Sequence, residues 1–403
     1  MEYSYAAFAF PAFFLFLGLE YIAAKRKKKT TIYKYESSVA NLSIGIAERL
    51  LNLFISASCF QLFYTIYKNY ALFQIPNHWL IWIVLLLATD FVWYWYHRLG
   101  HEINILWGAH IVHHHSEEFN YTVSARITTF QALIRNLFWC VLPFIGFHPA
   151  MVITILIIHG AYSFFTHTQV LKLPSWLEYV LVTPSIHGVH HAANEKYLNK
   201  NYGDLFVFWD KLFGTFVKED EKPIYGLTHP LNSYSFMWQH FHYYMELAEA
   251  CKRTKGLKGK LKILFGNPET LDQNIRTELE YKYLPKKNLK NHAINHKAYL
   301  NIQIFSSVSL LFLITYFFEY LGTSEKGFGV LLILITLINC GALLEQRKWI
   351  YYLEIARILV LTGYISILFD TYIFLTLSAV VIGLLIVTQP VQRWYLKTVY
   401  NDD

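Results

Sequence analysis

Apolar runs long enough to cross a lipid bilayer recur in both the first and the last parts of the chain, and they limit its fold more than any other feature. A helix needs about 20 mainly apolar residues to span the hydrocarbon layer, and about nine stretches meet that rule. They lie near 5–24, 43–66, 79–96, 130–147, 149–166, 298–320, 327–344, 350–368 and 371–390, and the fourth and fifth are expected to form a hairpin around Gly146 and Pro149. A bilayer offers no water to satisfy backbone N–H and C=O groups, so runs of this kind fold as helices. The expected fold class is all-α, a multi-pass transmembrane helical protein with a histidine-rich two-metal site at its cytoplasmic face. Charge agrees: only 16% of residues are Asp, Glu, Lys or Arg, against roughly 25% in ordinary soluble proteins.

The net charge of +7 does not point to nucleic acid, because the basic residues cluster beside the apolar runs: Lys25 to Lys29, Lys252 to Lys262, then Lys286, Lys287 and Lys290. Such clusters mark cytoplasmic flanks. The first apolar run is followed by its basic cluster, with no small-residue cleavage site, so it reads as a retained helix and not as a signal peptide. With Lys25–Lys29 in the cytoplasm, the alternation of crossings puts 97–128 and 167–296 on the same face, together with Arg393 and Lys397. The expected division is 1–78 as N-terminal membrane helices, 79–250 as a catalytic domain, 251–296 as a cytoplasmic linker and 297–403 as a C-terminal four-helix membrane region. The host membrane is either a bacterial inner membrane or the endoplasmic reticulum. Cys59, Cys140, Cys251 and Cys340 are scattered without a CxxC pair, which excludes a thiolate zinc site or an iron–sulfur cluster.

Histidine is the outlier, with 12 of 18 lying between His97 and His191. Three groups stand out: His97 and His101; His110, His113 and His114; His187, His190 and His191. Residues at i, i+3 and i+4 project from one face of a helix, so each group can aim two or three imidazoles at one spot. Eight imidazoles exceed what one ion takes, which favours two metals, and His167 at the end of the fifth run is a ninth candidate. His115, the third consecutive histidine, points off the shared face, while His148 and His159 read as structural. His229, His240 and His242 are surface or supporting groups. Imidazole suits zinc, copper, iron and nickel alike. A bilayer-surface site with no evident hydrolytic acid or base fits oxidation of alkyl C–H bonds, which requires a redox metal. A structural zinc cluster and a metal carrier remain as alternatives at this point. The aromatic run Phe91 to Tyr96 reads as an interfacial belt.

The order HxxxH, HxxHH, HxxHH, with Trp107 before the second group and Asn194, Asn201-Tyr202-Gly203, Trp209-Asp210 and Phe213-Gly214-Thr215-Phe216 after the third, resembles the fatty acid hydroxylase and sterol desaturase superfamily over about 80–230. The segment Trp107 to Asn120, the stretch Tyr225 to Pro230 and the extra C-terminal helices look most like its alkylglycerol monooxygenase branch. The resemblance implies two iron ions held by His97, His101, His110, His113, His114, His187, His190 and His191, joined by His167. It also implies O2 as oxidant, a membrane lipid as substrate, an external electron donor such as tetrahydrobiopterin, and hydroxylation of the carbon beside an ether oxygen. Glu117, the acidic residue just after the second group, is the catalytic candidate, placing the pterin or a proton. Fatty-acyl or sterol hydroxylation or desaturation, with a ferredoxin or cytochrome as donor, is the alternative. The chain departs from the pattern at His115, where serine is usual, and at Ala192-Ala193, where glycine is usual.

Overall fold

The computed structural model describes residues 4–284, 297–387 and 389–400. Lys286, Lys287 and Lys290, the end of the expected linker, and Thr388 in the ninth apolar run lie outside the described residues. The architecture is helical, and among the described residues the only extended pairings are two isolated bridges, Leu181 with Phe206 and Ala192 with Tyr225. Among the described residues, six helices are long and apolar enough to cross a membrane: Tyr5–Arg26, Tyr35–Tyr70, Trp79–Glu102, Pro149–Thr166, Lys297–Tyr316 and Thr323–Leu344. This is the makeup of a multi-pass membrane protein.

The other three expected crossings are helical as well. The run 130–147 is a shorter apolar helix, Thr129–Ile145, and the described part of 371–390 is helical over Ile373–Val387. Pro143, which has no N–H to donate, lies within the short second piece of the former, Val141–Ile145. The run 350–368 forms the Ile350–Leu368 helix, which carries the ion pair of Arg357 with Glu354. The hairpin does turn at Gly146, whose φ is +127° and where a Cβ would stand 2.0 Å from the Phe73 carbonyl oxygen. Only glycine fits there. Pro149 then opens the next helix, with His148 as N-cap.

Two of these helices are longer than a bilayer crossing needs, and the second carries part of the site. Tyr35–Tyr70, with 36 residues, is about 54 Å long at 1.5 Å per residue, well beyond a hydrocarbon layer of about 30 Å. Its first half buries Asn41, Ser43 and Glu48, and Asn41 donates to Thr122 Oγ1 at 2.9 Å. Trp79–Glu102 extends past its apolar run, so that His97 and His101 occupy its last turns.

The C-terminal helices pack onto the same frame. Leu300, Ile304, Leu337 and Leu343 share a buried core with Val39, Ile46 and Leu50. Glu345 accepts from the Ser233 hydroxyl and from the backbone N–H of Tyr234 and Ser235, both at 3.1 Å. It thereby closes the exposed N-terminus of the Phe236–Arg253 helix. Within 251–296, Leu257–Phe265 and Asn274–Tyr283 are helical, and Ile275 and Leu279 bury against Leu231, Trp238 and Ala250. The described part of that stretch is therefore a packed cap over the site.

Candidate metal centre

Nine imidazoles converge in the interior between these elements. One group contains His97, His101, His110, His114 and His190; a second contains His113, His167, His187 and His191. Each HxxHH motif is divided between them. The i and i+4 partners stay together, as His110 with His114 and His187 with His191, while the i+3 residue faces the other group. On a helix the i+3 and i+4 positions diverge by about 100°, so one turn can bracket two ions. The second motif bends further, because Ile111–His114 is a 3-10 turn following the Asn104–His110 helix.

The spacing fits metal ions. Imidazole nitrogens bonded to one ion at roughly 2.1 Å and near right angles lie about 3 Å apart. Nε2 of His110 lies 3.1 Å from Nε2 of His97 and 3.1 Å from that of His114. In the second group His167 Nε2 lies 3.1 Å from His113 Nε2 and 3.0 Å from His187 Nε2, and His187 to His191 is 3.2 Å. The buried Nε2 atoms of His101 and His190 have no hydrogen-bond partner, as expected of ligand lone pairs.

The tautomers are fixed from behind. Nδ1–H of His97 donates to the Tyr202 carbonyl at 2.8 Å, His190 to Lys200 at 2.9 Å, His167 to Ser163 at 2.7 Å and His113 to Arg126 at 3.2 Å. A proton held on Nδ1 leaves the Nε2 lone pair facing inward. Burial, reinforced by neighbouring imidazoles, holds His110, His113, His114, His187, His190 and His191 well below the usual histidine range and lowers His167 to about 4. They are neutral and ready to bind metal at neutral pH.

The loop after the third motif builds these carbonyls. The buried Asp210 carboxylate accepts from the N–H of Tyr202 and Gly203, both at 2.8 Å, and from Thr215 Oγ1 at 2.7 Å. Asn201 ties the loop to Ile186 and Val217. A Cβ on Gly203 would come within 2.8 Å of Asp210 Oδ2 and 2.6 Å of the Phe206 carbonyl oxygen.

Several supporting residues were not foreseen from the sequence. Asp90 accepts from the N–H of Leu205 and from Trp209 Nε1, both at 2.9 Å, and His159 Nδ1 donates to Asp204 Oδ2 at 2.7 Å. An acid inside the run Leu85 to Trp95 was the available signal, since uncompensated charge there is costly. Glu20, in the first membrane helix, accepts from the Tyr121 N–H at 2.8 Å and from the hydroxyls of Tyr33 and Thr168, the last beside His167.

His115 joins neither metal group. Its Nε2 is 3.0 Å from His242 Nε2, and its Nδ1 accepts from Arg126 Nη2 at 3.1 Å. His242 in turn donates from Nδ1 to Glu246 at 2.8 Å, which Arg276 also holds at 2.8 Å. His240 donates to the Phe236 carbonyl, and the His229 carbonyl accepts from Arg276. Glu117 is exposed and belongs to neither imidazole group. It lines a polar cavity of about 580 Å³ with Lys34, His115 and Arg126, and its Cγ packs on Gly226.

Two other cavities touch the imidazoles. One, of about 430 Å³, is walled by Phe10, Phe13, Phe164 and Leu311 and reaches His97, His110 and His113. The other, of about 200 Å³, is lined by Glu246, Arg276, Trp107 and Thr228 and reaches His101, His114 and His190.

Comparison with known proteins places this arrangement. A fatty acid hydroxylase profile matches residues 82–215, a stretch that contains all nine imidazoles. The human alkylglycerol monooxygenase is 30% identical over 364 residues, covering 88% of this chain and 81% of the relative. The chain belongs to the alkylglycerol monooxygenase family. Another member of that family, from Xenopus tropicalis, is 29% identical over 86% of this chain and 79% of its own length. Outside the alkylglycerol monooxygenases, an ornithine lipid hydroxylase from Rhizobium tropici is 29% identical over 32% of this chain and 40% of its own. No solved structure matches the chain.

Proposed function

We propose that this protein is a membrane-bound di-iron monooxygenase that uses O2 to hydroxylate a lipid C–H bond, cleaving the ether bond of alkylglycerol-type lipids. The observation that carries this reading is the contact between the apolar cavity, walled by membrane helices, and five imidazoles of the two groups. Kinship to alkylglycerol monooxygenases supports the ether substrate.

The nine imidazoles would hold the ions, five on one and four on the other, and bound iron supplies the redox chemistry that activates O2. Neutral ligands suit a site beside lipid, because few carboxylates need be buried there. Phe13, Phe164 and Leu311 would hold the alkyl chain and exclude water from the reacting carbon. Hydroxylation beside the ether oxygen gives a hemiacetal, which separates into an aldehyde and a glycerol derivative. The basic flanks support a cytoplasmic site, and a tetrahydropterin is the assigned reductant. Residues 79–250 form the catalytic unit, with 1–78 and 297–403 as membrane helices.

The experiment is iron analysis of purified protein together with O2-dependent turnover of alkylglycerols, sterols and ornithine lipid. The expected result is iron near two per chain and aldehyde release from the ether lipid. His113→Ala and His190→Ala, one from each group, should each abolish turnover and leave membrane insertion intact. Zinc alone with no turnover, or near-normal activity in either variant, would refute the reading.

A further inference from the structure

The basic cluster from Lys252 to Lys262 has no task at the metal centre, and the fold gives it a definite shape. Most of it lies on the Leu257–Phe265 helix. Ile263 and Leu264 turn inward and pack against the core of Ile44, Ile111, Val112, Tyr243 and Leu247. Leu257, Leu261 and Phe265 face outward, 73%, 44% and 61% exposed. They recur every fourth residue, so at 3.6 residues per turn they form one stripe about 80° wide. Lys258 and Lys262 fall on the rim of that stripe, and Lys255 and Lys260 are exposed nearby.

Water is a poor neighbour for the stripe, and no carboxylate neutralises its rim. Among the described residues none of Lys255, Lys258, Lys260 and Lys262 is in an ion pair, whereas Lys252 and Arg253 both engage Glu249. An apolar stripe edged by such lysines is the pattern of a helix lying in the headgroup layer, its apolar side chains among the acyl chains and its ammonium groups on anionic phosphates.

Position agrees with composition. The Asn104 side chain donates to the Ile263 carbonyl at 2.7 Å, and its backbone N–H donates to the Gly266 carbonyl at 2.9 Å. Asn104 comes two residues after Glu102, the last residue of the Trp79–Glu102 membrane helix, so the basic helix is fastened beside the end of a crossing. On the neighbouring Phe236–Arg253 helix, Met237 and Phe241 are exposed too. The Phe241 ring centroid lies 5.7 Å from that of Phe130, in the first turn of the Thr129–Ile145 apolar segment.

We propose that the Leu257–Phe265 helix docks on the surface of the membrane that the protein spans, taking anionic phospholipid headgroups on Lys255, Lys258, Lys260 and Lys262. The occupant is the bilayer and not a second protein, because the stripe continues the boundary set by the membrane helices and its rim is basic. The contact reaches the metal centre. The chain leaves this helix at Gly266, and Asn267, Pro268, Leu271 and Asp272 wall the polar pocket that touches His101, His114 and His190. Docking therefore holds that wall at a fixed height above the bilayer.

The test is amide hydrogen exchange of the full-length protein in nanodiscs made with phosphatidylglycerol or with phosphatidylcholine alone. Each lysine beside an anionic surface favours docking by about fivefold, so exchange over 257–265 should be at least about tenfold slower in the phosphatidylglycerol discs. Salt at about 1 M should abolish the difference. Lys258→Gln/Lys260→Gln/Lys262→Gln should abolish it too, and Leu261→Ser/Phe265→Ser should exchange fast in both discs. Exchange over 274–283, where Ile275 and Leu279 bury against Leu231 and Trp238, should stay unchanged in both variants, showing that the cap remains folded. Equal exchange of the wild type in the two discs, a comparison that needs no variant, overturns the proposal. So does a lipid dependence that survives the triple substitution. Protection that rises with protein concentration in either disc assigns the stripe to a second copy of the chain and overturns it as well.

Discussion

Asp210→Asn is the change that best separates the two metal sites. The side chain keeps its shape and Oδ1 can still accept from Tyr202 N–H and Thr215, but an NH2 group now faces the Gly203 N–H across 2.8 Å. One charge-assisted bond is lost, worth about 1.5–3 kcal/mol, and two donors oppose each other. The loop that relaxes carries the Tyr202 and Lys200 carbonyls, which orient His97 and His190. Both belong to the five-imidazole group, whereas His167 and His113 are oriented by Ser163 and Arg126, on other segments. If the lost energy is transmitted to metal binding, one ion should bind roughly 10- to 150-fold more weakly, in keeping with the 10- to 100-fold cost of losing a supporting contact. Chelator competition followed by iron analysis should then show one weakened and one unchanged site. Equal weakening of both ions, or of neither, would refute the division of labour drawn here.

Other outcomes follow from the same geometry. His115→Gln should retain full metal content while lowering stability by about 1–3 kcal/mol, because His115 serves Arg126 and His242; iron analysis and thermal melting check this. Gly160 lines the apolar cavity and has open space where its side chain would be. Gly160→Phe should exclude about two methylenes of a long alkyl chain, worth roughly 0.8 kcal/mol each, and raise its KM about tenfold with short chains unaffected, as a chain-length series of lipids would reveal. Burial lowers the proton affinity of His110, His113, His114, His187, His190 and His191, and that of His167 to about 4. On acidification the unfolded chain therefore binds protons first. Metal-free protein should be fully stable above about pH 6.5 and lose stability progressively below it. Melting temperatures across that interval test this, and a flat profile would contradict it.

Much of the site was legible in the sequence because histidine spacing is local. The i, i+3, i+4 pattern identified the residues that the fold gathers, and the basic clusters and apolar runs indicated the membrane helices. The division of each motif between two groups was not legible, since it depends on the 3-10 turn at Ile111–His114 and on what faces it. Nor were the orienting carbonyls of Ser163, Lys200 and Tyr202, because every residue has a carbonyl and only the folded loop aims these three. His115 was correctly set off the metal face, but its partner His242 lies 127 positions away, beyond any spacing rule. The Thr129–Ile145 segment shows the limit of hydropathy alone: the run is mainly apolar, yet it contains Arg135 and Pro143 and yields a shorter helix.

Glu20 gives the molecule a history as well as a shape. It sits in the Tyr5–Arg26 helix, and among its partners only Tyr33 follows closely; Tyr121 and Thr168 come 101 and 148 residues later. At roughly 5–20 residues per second, the interval before Thr168 exists is about 7–30 s. Throughout that time an acidic side chain at the end of a membrane helix lacks most of the hydrogen bonds it has in the finished protein. The Tyr5–Arg26 helix therefore gains its full set of polar contacts only once the hairpin ending at His167 has been made.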